Sequence, residues 1–212
     1  MRTEPRESVP PPTCSRSESN WQHWHSIDVA LAPLEKSWLK RTAKSTSRSR
    51  ATCTTHVNQE EGEAFWVLGM LETIKIGGED TAGQYGLIEV VARAGDGSPW
   101  HTHPDEDEWF YVVDGEFTFY VGDARLTLTA GSFAFGPKGV PHTFIAETHG
   151  ATALVGFQPF LFEGFMREAG EPATERVLPP PLETPPDMER LLPIASRNGM
   201  EILGPPGPPP RH

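Results

Sequence analysis

From Ala64 to Phe157 the apolar residues come in short runs of alternating character, broken by Gly, Pro and Asp. Many short strands separated by turn residues are the pattern of a sandwich or barrel. The runs predict strands over residues 65–76, 85–93, 108–113, 117–121, 124–128, 132–135, 142–147 and 152–157. The pairs Asp114-Gly115 and Gly122-Asp123 fall between runs, where tight hairpin turns need residues that tolerate positive φ, so each predicts antiparallel pairing of its neighbours. After Pro159 the period changes: Leu161, Phe162, Phe165 and Met166 make one apolar helical face ending near Gly170. A Pro-rich linker over 172–186 and a second helical stretch over 187–197, containing Pro193, follow.

The first 57 residues lack this periodicity. They contain Val9-Pro10-Pro11-Pro12 and a Ser/Arg/Lys-rich run over 40–50, too few apolar residues to offset the entropy of ordering. The expected organisation is therefore a disordered tail over 1–57, an all-β jelly-roll barrel over 58–160, a helical and Pro-rich extension over 161–203, and a flexible tail over 204–212. With no internal repeat, the barrel is a single unit.

Charge sharpens the division. Residues 1–57 carry a net +4 and residues 58–212 a net −15, within an overall −11. That balance argues against nucleic acid as a partner, since phosphate binding needs clustered Lys and Arg. The basic run over 40–50 reads as a solvated tail before it reads as a tether. No apolar run approaches the roughly 18 residues of a membrane span, and no apolar stretch near the N-terminus resembles a signal peptide. The chain thus reads as cytoplasmic. Cys14 and Cys53, the only cysteines, lie upstream of the patterned region, so a metal site there would use nitrogen and oxygen ligands.

Candidate chemistry is concentrated in two segments. Residues two apart on a strand share a face, so His101 and His103 can both point inward. Pro104 to Asp107 form a turn, and Glu108 opens the next run, whose inward phase continues through Phe110 and Val112. His142 follows the turn Pro137-Lys138-Gly139. Three imidazoles and one carboxylate suit a divalent transition metal such as Fe, Ni, Mn, Co, Cu or Zn, with positions left open for other ligands. Among the remaining histidines, His23 and His25 lie in the unpatterned tail, and His56, His149 and His212 lack a second ligand at useful spacing. Asp105, Glu106 and Asp107 read as a solvated acidic turn, with Glu108 alone in phase with the interior. Phe110, Phe133, Phe135 and Phe144 form a candidate substrate pocket, although inward aromatics are most often core. Trp100 and Trp109 should point outward by alternation, toward an adjoining strand or a partner subunit.

In these residues the sequence resembles the cupin superfamily. Gly95, His101, His103, Glu108 and Gly115 match its first motif, G-x5-HxH-x3,4-E-x6-G. Gly131, Pro137, Gly139 and His142 match the second, G-x5-PxG-x2-H-x3-N, until Ala146 replaces the final Asn. The resemblance implies a double-stranded β-helix with His101, His103, Glu108 and His142 as ligands. Residues 63–69, the segment 101–123 and the helix after Pro159 further resemble single-domain cupins related to quercetin 2,3-dioxygenase. That likeness implies cleavage of a flavonol-like or other enolizable small molecule by dioxygen, with Glu108 as ligand and general base. Within the superfamily the alternatives are an isomerase, lyase or cyclase that stabilises an enolate, and a non-catalytic small-molecule-binding protein. The resemblance also implies a homodimer, consistent with the tendency of unpaired sheet edges to associate.

Overall fold

The computed structural model describes residues 55–208. Residues 1–54 and 209–212, where the sequence predicts disordered ends, lie outside the described residues, as do His23, His25 and His212. Two antiparallel sheets face each other. The larger has the order β11-β1-β2-β3-β10-β5-β8, from Glu171–Pro172, Glu63–Val67, Met70–Ile76, Gly86–Ala92, Ala151–Gln158, Asp107–Asp114 and Phe133–Gly136. The smaller has the order β12-β4-β9-β6-β7, from Glu201–Gly204, Trp100–Thr102, His142–Ala146, Glu116–Val121 and Ala124–Thr129. Three helices accompany the sheets among the described residues: α1 (Gly78–Thr81), α2 (Phe162–Ala169) and α3 (Met188–Arg197). The fold is the all-β jelly-roll barrel with short C-terminal helices that the sequence predicts.

Two turns differ from expectation. The run over 65–76 is a hairpin rather than one strand, because Leu68 and Gly69 both adopt positive φ (49° and 89°) and reverse the chain. Gly122-Asp123 does close the β6–β7 hairpin, with Val121 paired to Ala124. Asp114-Gly115 closes none: β5 and β6 lie in different sheets, and Gly115 is the corner between them. A Cβ there would come within 2.3 Å of the Thr148 hydroxyl, and φ is +76°, so only glycine turns this corner without strain.

Inward residues of both sheets fill the barrel. Phe110, Phe119 and Phe144 pack as an aromatic plug, with the Phe110 and Phe119 rings 4.1 Å apart. The C-terminal extension covers the opposite part of the interior. Helix α2 buries Phe165 and Met166, as its apolar spacing predicts, and α3 buries Leu191, Ile194 and Ala195. Asp187 caps α3 by accepting from Arg190 N at 3.2 Å.

The sequence reading does not contain strand β12, which pairs with β4 and sets Ile202 opposite His101. Beyond it Trp100 Nε1 donates to the Gly207 carbonyl at 2.7 Å, so the first residues of the predicted tail lie against the barrel. Among the described residues no helix is long and apolar enough to cross a membrane.

Candidate metal centre

The four proposed ligands converge from both sheets. His101 and His142 are direct cross-strand partners on β4 and β9, which project their side chains to one face. His103 lies one residue past β4, where its carbonyl accepts from Gly139 N at 2.8 Å and ties the two motif turns together. Glu108 comes from β5 in the opposing sheet, paired with Gly136 and Phe157. The sequence reading takes Pro104 to Asp107 as a turn leading directly into the strand of Glu108. The residues after His103 instead carry the chain from one sheet to the other, and the carboxylate meets the imidazoles across the barrel.

One ligand atom from each residue lies within 4.8 Å of all the others. Glu108 Oε2 is 2.6 Å from His142 Nε2, 3.4 Å from His103 Nε2 and 3.7 Å from His101 Nε2. All four side chains are buried. The outer nitrogens fix how the rings are presented. His101 Nδ1 lies 2.8 Å from the Pro99 carbonyl and His142 Nδ1 lies 2.9 Å from the Val140 carbonyl. A carbonyl only accepts, so each Nδ1 carries a proton and Nε2 is the nitrogen turned to the centre, where that of His142 is within hydrogen-bond reach of the Glu108 carboxylate.

Among the described residues His103 has no hydrogen-bond partner on either nitrogen, although it is only 1% exposed. Its Nδ1 lies 3.4 Å from Glu106 Oε1, too poorly aligned to bond, while its Nε2 faces the centre. Three nitrogen lone pairs around a carboxylate repel unless a cation or extra protons lie among them. The donor set, its burial and the orphaned His103 nitrogen therefore fit one divalent transition metal.

Titration of the groups themselves reflects the crowding. Burial, then the neighbouring His142 and His103, push His101 down to about 4 despite the opposing pull of Glu108. Burial would raise Glu108, but the charge of His142 and the three imidazoles gathered around it outweigh that and hold the carboxyl well below its usual range. Burial also opposes charge on His142, yet the Glu108 carboxylate leaves its pKa raised.

Glu106 is not part of a solvated turn. It is fully buried, and its Oε2 accepts from Leu161 N and, at 3.2 Å, from Phe162 N at the start of α2. Burial is the main force pushing its carboxyl up to about 8, against the pull of those two N–H groups. The signal was in the alternation: Glu106 shares the parity of Glu108, while Asp105 is exposed and Asp107 accepts from Lys138 N at 3.0 Å. His56 and His149 are exposed, as their isolation in the sequence suggests.

Beside the centre lies a cavity of about 450 Å³ including its mouth, and of the four candidate ligands His101 and Glu108 line it. Its other walls are mostly apolar, including Ile88, Val155 and Phe157 from the barrel and Phe162, Phe165 and Met200 from the extension. Phe110 and Phe144 line it. Phe133 and Phe135 do not: on β8 the inward phase belongs to Ala134 and Gly136, leaving these aromatics 60% and 49% exposed. Phe133 stacks on Trp109 on the outer face, with ring centres 6.2 Å apart. Trp100 packs near Tyr120 of β6, two strands away in the same sheet.

Residues 88–156 match the family model described as the cupin domain. The chain is 28% identical over 120 residues to quercetin 2,3-dioxygenase of Bacillus subtilis (strain 168), a match covering 56% of this chain and 35% of that protein. The chain thus spans about a third of the length of that relative. Among solved structures it is similar to KdgF from Halomonas sp., at 20% identity over 50% of this chain and 94% of that one, with a TM-score of 0.45. A similar match is an RmlC-like cupin from Shewanella frigidimarina NCIMB 400, at 24% identity over 50% and 92% of the two chains, with a TM-score of 0.44. The polyketide cyclase RemF from Streptomyces resistomycificus matches at 20% identity over 50% and 80%, with a TM-score of 0.43.

Proposed function

We propose that this cupin-fold chain is a metal-dependent enzyme, a dioxygenase that cleaves a flavonol-like or other enolizable small molecule. The observation that carries the enzyme reading is the convergence of three imidazole nitrogens and one carboxylate at the wall of a largely apolar cavity. The choice of dioxygenase draws on the similarity to quercetin 2,3-dioxygenase.

His101, His103, Glu108 and His142 would hold the ion. When bound, it supplies Lewis-acid polarisation of a substrate oxygen and a place to orient dioxygen. Around it the chain's own groups have distinct tasks. The carbonyls of Pro99 and Val140 lock two imidazoles in the tautomer that presents Nε2. Phe157, Phe162 and Met200 exclude water and favour an apolar ring system. Glu108 borders both the centre and the cavity, so an entering hydroxyl meets its carboxylate, which accepts the proton.

Oxygen consumption with a flavonol, measured after loading separately with Fe, Mn, Co, Ni, Cu or Zn, tests this reading. Uptake that requires both metal and substrate, and that falls in Glu108→Gln, is the expected result. Turnover under argon would replace the dioxygenase with an isomerase or lyase. Stoichiometric retention of ligand without product would make the chain a binding protein.

A further inference from the structure

Strand β2 sends Met70, Glu72 and Ile74 toward the interior, an alternating set with one carboxyl among apolar side chains. Glu72 is only 4% exposed, and among the described residues its Oε2 has no hydrogen-bond partner. It lines the same cavity as His101 and Glu108, between the apolar side chains of Met70 and, on the adjacent strand, Val90. A buried carboxyl without a partner is unfavourable in an apolar wall unless a ligand completes its hydrogen bonding. No residue of the centre makes that bond.

We infer that Glu72 is a specificity-determining residue of the cavity, which hydrogen-bonds a phenolic or enolic hydroxyl on an otherwise apolar ligand. The inference rests on the proposed role of this cavity as the substrate chamber. Burial first, and then the negative charge of Glu108, push the Glu72 carboxyl up to about 8, so near neutral pH it is mostly protonated. In that form it accepts through the carbonyl oxygen and donates through the hydroxyl, pairing with a ligand hydroxyl in either direction. A neutral carboxyl in an apolar chamber selects a neutral polar group over a cation. Glu72 thus recognises one part of a ligand while the metal-centre face of the cavity meets another.

Phenol and toluene are near-isosteric probes that differ in the group Glu72 would recognise. Their binding is measured by calorimetry near pH 6.5 on metal-free and Zn-loaded protein, with zinc content determined on the same samples. Wild type should prefer phenol roughly tenfold in both states, as expected for one buried hydrogen bond. Glu72→Gln should keep a preference for phenol, whereas Glu72→Leu should abolish it or favour toluene. An unchanged preference in a folded Glu72→Leu variant would overturn the inference, as would failure of both probes to bind. A phenol preference confined to the Zn-loaded state would assign the hydroxyl to the ion and also overturn it. Tighter binding of benzylamine than of phenol would point to a cation site instead. A Glu72-dependent preference in protein that takes up no zinc would uphold this inference while contradicting the metal-centre reading, so the two failures are distinguishable.

Discussion

Replacing Glu106 by alanine should destabilise the fold. The buried carboxyl accepts from two backbone N–H groups at the start of α2. Removing it leaves two part-buried donors unsatisfied, each costing about 1–3 kcal/mol, so Glu106→Ala should lose about 3 kcal/mol.

Glu106→Gln keeps the acceptor. Its amide carbonyl still accepts from Leu161 and Phe162, holding the stability loss to about 1 kcal/mol. Urea denaturation of metal-free protein gives the stabilities. A Glu106→Ala loss below about 1 kcal/mol, or an equal loss in Glu106→Gln, would refute this role.

Other consequences can be measured on the same material. Glu72 has a folded pKa near 8 against 4.5 when exposed, so the stability it contributes is fully present below the lower value and is lost as pH rises through the higher one. Linkage then makes wild type lose about 2.5 kcal/mol more than Glu72→Gln between about pH 5 and 7, and parallel stability curves for the two proteins would contradict the burial of this carboxyl. On the outer face, a Cβ at Gly156 would fall 2.0 Å from the Trp109 ring, its cross-strand neighbour. Gly156→Ala should therefore cost about 1–3 kcal/mol through displacement of the indole, and an unchanged urea midpoint would remove that constraint.

The barrel was legible because strand periodicity and turn residues act locally. Val121-Gly122-Asp123-Ala124 states its own hairpin, and Leu161 to Met166 state their helical face. What escaped depends on pairing between distant segments. Nothing near Asp114-Gly115 says that the chain crosses there to the other sheet. Likewise, nothing in Glu201–Gly204 alone says that it will lie beside His101.

The metal-ligand candidates were found from motif spacing, although the route by which Glu108 reaches them was not. Phe133 and Phe135 show the opposite failure: a one-residue error in phase moves a whole set of side chains to the other face of a strand. Glu106 and Glu72 were readable as parity, but a carboxyl at an inward position looks like a charge until the surrounding burial is known.

The most direct test of the central claim is elemental analysis of the purified chain before and after reconstitution, alongside His101→Ala and His142→Ala. About one transition-metal ion per wild-type chain, and loss of most of it in either variant, is the expected result. Absence of metal from reconstituted wild type, or full metal content in a folded His142→Ala variant, would contradict the assignment of His101, His103, Glu108 and His142 as one centre.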